Sequence, residues 1–185
     1  MRDDGSVSRS VRSEPREVRA ARRAVLPRVR ARSPSRGRHH PAGVGDVRAA
    51  LERFGLSAYY GVTLVELVPA RHSDDGFVLG RLVGPGHIAL YDQPRSPWRL
   101  GVALSGGDLA RLAAAGADVA TPGVIVWPDD TLRRFMLGHV LAHELGHHVV
   151  QHERRLRAER AARTSEHELR AESIAAELRG RLGWD

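Results

Sequence analysis

The sequence predicts an α+β domain behind a polar N-terminal tail, and three features predict it. Residues 62–91 hold three short runs of β-branched and large apolar residues, separated by Asp-Asp-Gly and Gly-Pro-Gly, the pattern of strands joined by turns. Residues 131–182 instead read as two long helices with a break near residue 164. Residues 1–45 are rich in Arg, Ser, Pro and Gly and nearly lack aromatics, so they offer little apolar surface to offset the entropy of ordering.

That tail holds 12 Arg against 4 acidic residues, whereas the remainder holds 17 Arg against 18. The formal charge of +7 therefore belongs to residues 1–45 and says little about the folded body. The tail is expected to be disordered, with a short helix possible over Glu14–Leu26. Two readings of it stand open: a solvated extension, or an arm for nucleic acid, which a basic run alone does not decide between. All 29 basic residues are arginine, a usage that suggests a GC-rich bacterial genome rather than a function.

The folded domain is expected to span residues 46–185. Asp46 is a suitable N-cap for a helix over Val47–Phe54, and Gly55 a suitable stop. Strands are expected at Val62–Val68, Phe77–Val83 and His87–Tyr91, paired as an antiparallel meander. A short helix follows over Gly107–Ala117, led by Asp108, then an apolar strand at Gly123–Trp127. Pro128-Asp129-Asp130 supplies a turn and an acidic cap for a helix reaching to about Arg160. Thr164 or Ser165 caps the last helix, Glu166–Leu182.

Cysteine is absent, which excludes disulfides, thiolate metal sites and a Cys nucleophile. No apolar run approaches the roughly 18 residues that span a bilayer, and no signal-peptide core follows the N-terminal arginines. A cytoplasmic protein without a membrane partner is the expectation; oligomeric state is not readable.

His143-Glu144-Leu145-Gly146-His147 is the most informative stretch. Imidazoles four residues apart lie about 40° apart around a helix and roughly 6 Å apart along it, so both can reach one metal ion. Glu144, next to the first ligand, is placed to take a proton from a metal-activated water. Zinc hydrolases keep three protein ligands and an open position. In the HExxHxxGxxH layout a glycine breaks the helix before the third ligand, but here Val150 takes that glycine's position. Glu153, at the last position, then points about 240° away.

Glu168-Leu169-Arg170-Ala171-Glu172, continuing into Ser173-Ile174-Ala175-Ala176, resembles the ExxA(D/N)xxA segment that follows HExxH in gluzincin-type peptidases. The resemblance implies that Glu168 is the third zinc ligand. Glu166, His167 and Glu172 on the same helix remain rivals, and Glu172 replaces the family's Asp or Asn. Arg134-Phe135-x-Leu137 ahead of Ala142–His148 is also distantly similar to the ImmA/IrrE family, with Gly138–Leu141 adding about one turn between the two parts.

Together these implied kinships make the chain a small zincin-like domain: a short antiparallel or mixed sheet, an HExxH helix and a C-terminal third-ligand helix. The activity implied is zinc-dependent hydrolysis of a peptide or protein substrate, with His143, His147 and Glu168 holding Zn²⁺ and Glu144 as general base. Tyr91, His87 and Arg95 are candidates to stabilise an oxyanion. His87–Tyr91 and Gly123–Trp127 are the expected edge strands for pairing with a peptide. His148 and His152, a second i, i+4 pair without a carboxylate, read as surface residues. His139 either lines the cleft or packs, and His39 and His40 fall in the tail. A nucleic-acid-associated regulator, or a zincin-fold interaction module without catalysis, is the alternative function.

Overall fold

The computed structural model describes residues 26–70, 78–101, 103–153 and 164–184. The fold is mixed α+β. The chain runs through β1 (Arg28–Ala31), β2 (Arg38–His39), α1 (Val44–Phe54), α2 (Leu56–Tyr59), β3 (Leu64–Val68), β4 (Gly80–Gly84), β5 (His87–Tyr91), β6 (Gln93–Pro94), β7 (Trp98–Arg99), α3 (Gly106–Ala114) and β8 (Val124–Ile125). It ends in α4 (Thr131–Phe135), a π-helical segment Met136–Leu141, α5 (Ala142–Glu153) and α6 (Ser165–Gly180).

The main sheet has the order β1-β3-β5-β4, with β1–β3 and β3–β5 parallel and β4–β5 antiparallel. The expected antiparallel meander is therefore corrected. β3 skips β4 and pairs with β5, while β4 folds back on β5 as a hairpin and becomes the edge. Register explains the choice. Val65 and Leu67 sit opposite Ile88 and Leu90, and all four are buried in one cluster with Val29 and Leu82. Parallel pairing of β3 and β5 puts two continuous apolar rows on one face. Leu51 and Phe54 of α1, Leu137 and Leu141 of the π segment and Leu145 of α5 fill the same cluster.

The opposite face, which also carries Ala89 and Tyr91, holds a buried carboxylate. Glu66 is nearly inaccessible there because Arg30 donates to it at 2.8 Å and His87 lies at 2.7 Å. Burial raises the Glu66 pKa, but these partners outweigh it and leave the carboxyl below its usual range. Asp92 plays the same part at the sheet's end. It accepts from the backbone N–H groups of Ser35 and Ala70 and from Arg38.

These contacts overturn the expected disorder over residues 26–45. β1 is a paired strand, and His39 and His40 hold the Gln93 and Arg32 carbonyls at 3.1 and 2.9 Å rather than lying in a tail. Residues 1–25, with nearly all of the expected Glu14–Leu26 helix, lie outside the described residues. α1 also starts earlier than expected: Gly43 is its cap, and Asp46 closes the turn by accepting from the Gly43 N–H at 2.8 Å. Among the described residues no helix is long and apolar enough to cross a membrane.

Candidate metal centre

α4, the π segment and α5 form one continuous helical run from Thr131 to Glu153. The four residues that separate the Arg134-Phe135 part from the His143 part fall in its π-wound stretch. The i→i+5 winding there absorbs extra residues without a simple added α-turn. From this run His143 and His147 project on successive turns, their rings edge to face with centroids 4.5 Å apart. The two Nε2 atoms are 3.0 Å apart.

α6 supplies the third group. Its N-cap is Thr164, whose hydroxyl accepts from the His167 N–H, and Glu168 lies in the first turn. Glu168 Oε2 is 3.7 Å from His143 Nε2 and 3.5 Å from His147 Nε2. A tetrahedral ion with bonds of about 2.0–2.1 Å requires its ligand atoms roughly 3.3 Å apart. The three separations bracket that value, so two nitrogens and a carboxylate oxygen are a fitting donor set for zinc. Among the described residues this is the one group of three His or acidic side chains that converges in this way. His147 is fully buried, whereas the Glu168 side chain is 42 % exposed, so the site is closed behind and open in front.

The helices approach this closely because of Gly146. A Cβ built there would lie 2.3 Å from the Ala171 carbonyl oxygen; no larger residue fits between α5 and α6 at this separation. Sequence reasoning used Gly146 only as part of the motif and missed this role.

Glu172, a rival for third ligand, takes a different place. Its Oε2 is 3.3 Å from His143 Nδ1, and Arg179 donates to its Oε1 at 2.9 Å. Glu172 makes this contact although it stands where the resemblance implies Asp or Asn. Burial raises the Glu172 pKa, but Arg179 and His143 overcome this and hold it below the usual carboxylate range. A carboxylate at Nδ1 fixes that proton and leaves the Nε2 lone pair for a metal. Glu168, Glu172 and Arg179 are spaced i, i+4 and i+11, within about 40° on one face of α6; this period was the signal that could have found Arg179. His167 is buried with its ring centroid 5.0 Å from that of His147.

Glu144 is buried, and its Oε2 accepts from the Leu82 N–H at 2.6 Å. Leu82 belongs to β4, whose Arg81 and Leu79 face β5. Antiparallel alternation therefore turns the Gly80 and Leu82 amides outward, toward the site. β4 is the edge strand beside the HExxH helix. The expected edge His87–Tyr91 is interior, and the Gly123–Trp127 segment pairs through Val124–Ile125 with β7 instead.

A cavity of about 250 Å³ opens beside the cluster, lined by His143, Glu144, Glu172, Val140, His139 and Arg111 among others. Burial, with the charges of Arg179 and Arg111, lowers the His139 pKa to about 4, so it is neutral near pH 7. None of the expected oxyanion groups lines this cavity: His87 is spent on Glu66, Arg95 borders a separate pocket and Tyr91 is buried in β5. Of the second histidine pair, His152 is exposed as expected and His148 is corrected. His148 is buried, its Nε2 2.9 Å from the Tyr60 carbonyl, and stacks on His152; it fastens α5 to the end of α2. Comparison with known proteins finds no matching family model, curated protein or solved structure.

Proposed function

We propose that this chain is a zinc-dependent metallopeptidase with a zincin-like, gluzincin-type site, distantly akin to the ImmA/IrrE family. The observation that carries the reading is the convergence of His143 Nε2, His147 Nε2 and Glu168 Oε2 to mutual distances of 3.0–3.7 Å. Zinc held by these three residues would act as a Lewis acid and lower the pKa of a water towards about 7.

The protein's own groups do the rest. Glu172 holds the Nδ1 proton of His143, so Nε2 stays available as a donor. Glu144, aimed by the Leu82 amide, takes the proton of the attacking water and delivers it to the leaving amine. The outward amide and carbonyl of Gly80 are suited to main-chain pairing with an extended peptide, which would lay the scissile bond across the front of the cluster.

Elemental analysis of the purified chain beside His143→Ala and Glu168→Ala tests the ligand set. One equivalent of zinc in wild type and loss in both variants is the expected result. Glu144→Gln keeps an oxygen for the Leu82 N–H, so it should fold and retain zinc while losing peptide hydrolysis. Wild-type hydrolysis by that variant overturns the assigned base.

A further inference from the structure

The cavity beside the candidate zinc cluster carries a charge that the hydrolytic chemistry leaves unused. Its walls are largely apolar: Val78, Leu79, Phe135 and Val140, with the backbone of Gly80 at the edge strand. At about 250 Å³ it falls below the roughly 300–1,000 Å³ of drug-sized ligand sites, so it suits one side chain rather than an extended ligand. Because His143 and Glu144 are part of its lining, whatever enters lies next to the reacting bond.

Four charged groups border this space. Glu172 and Arg179 neutralise each other at 2.9 Å, and Glu144 is held by the Leu82 amide. Arg111, from α3, lines the same cavity and is exposed; among the described residues its guanidinium makes no hydrogen bond or ion pair. His139 adds a second unfilled valence, since its buried Nδ1 has no hydrogen-bond partner among the described residues. A pocket meant only for an aliphatic side chain has no use for either group. At the mouth of these apolar walls the unpaired guanidinium is placed to give a carboxylate charge-assisted, bidentate hydrogen bonds.

We infer that the cavity selects substrates bearing a carboxylate on the residue beside the scissile bond, with Arg111 as the specificity-determining group. This rests on the metallopeptidase reading. The carboxylate has two sources, an Asp or Glu side chain or a free chain terminus, and both present the same oxygens.

Three hydroxamates on one short backbone separate the outcomes on the full-length, zinc-loaded protein by titration calorimetry. The first carries a carboxylate side chain and an amidated end, the second an alkyl side chain and a free terminal carboxylate, the third an alkyl side chain and an amidated end. One carboxylate probe should bind about tenfold more tightly than the neutral probe, and which one identifies the source. Arg111→Gln should bring the affinities together without weakening the neutral probe, whereas Arg111→Lys should keep part of the preference. Equal binding of all three by wild type overturns the inference while leaving the zinc site standing. A preference that survives Arg111→Gln overturns it too, because the carboxylate is then held by something else. If no probe binds, the metal reading falls and takes this inference with it.

Discussion

Gly146→Ala is the sharpest perturbation of the two-helix arrangement. The added Cβ would sit 2.3 Å from the Ala171 oxygen and 3.0 Å from its carbonyl carbon, roughly 1 Å inside ordinary contact. Both neighbours are helix backbone, so the helices must separate. Two effects then oppose each other in stability. Overpacking costs about 1–3 kcal/mol, while replacing a mid-helix glycine by alanine returns about 1 kcal/mol. The net loss is about 0–2 kcal/mol, or a fall in Tm of about 0–8 °C for a chain of this size. Metal affinity has no such offset. Glu168 rides on the displaced helix, and metal sites tolerate only about ±0.2 Å in ligand distance. Zinc affinity, measured by chelator competition, should therefore drop by at least the 10–100-fold typical of lost supporting contacts. Gly45→Ala is the control, since nothing lies within 4 Å of a Cβ there. Wild-type zinc affinity in Gly146→Ala would refute the argument that this glycine sets the ligand geometry.

Three further outcomes follow from the same contacts. Glu172→Gln removes the negative charge at His143 Nδ1 but keeps an oxygen, and should weaken zinc binding about 10–100-fold with little change in the circular dichroism of the apoprotein. Removing zinc with a chelator should lower Tm: at zinc 100-fold above Kd the linkage is about 2.7 kcal/mol, hence about 5–11 °C, and a scan unchanged by chelator counts against a folded-state metal site. The lowered His139 pKa has a definite sign. Its folded value of about 4 lies below the unfolded 6.5, so the unfolded chain takes up the proton first, and stability present above pH 6.5 is lost as pH falls toward 4. His148, lowered by burial, acts in the same direction. Urea midpoints at pH 7 and pH 5 should therefore differ less in His139→Leu than in wild type.

What was legible in the sequence was local. The HExxH pair, the Thr164 cap of α6 and the limits of β5 all depend on residues within a few positions of one another, and each lies where expected. What was missed depends on distant partners. β1 reads Arg-Val-Arg-Ala, with Val29 alone apolar and large, so no strand signal rises above the arginines. It is ordered by Glu66, 36 residues on, and by parallel pairing with β3. The β3–β5 pairing likewise has no turn chemistry to announce it. Arg111 reached the cavity from α3 by tertiary packing alone.

The candidate site is set by one register rather than by separate placements. Glu168, Glu172 and Arg179 share a face of α6, and Ala171 and Ala175, both fully buried, give that face its close approach to α5. A single-residue slip of α6 would rotate its side chains by about 100°. Glu168 would leave the two imidazoles, Glu172 would leave Nδ1, and Arg179 would leave the cavity together. Ala171, fully buried where α6 meets Gly146, is what opposes the slip, because Arg170 or Glu172 would then have to take its place. The small residues between the acidic positions are thus part of the proposed chemistry: they hold no ion, but they fix which groups can.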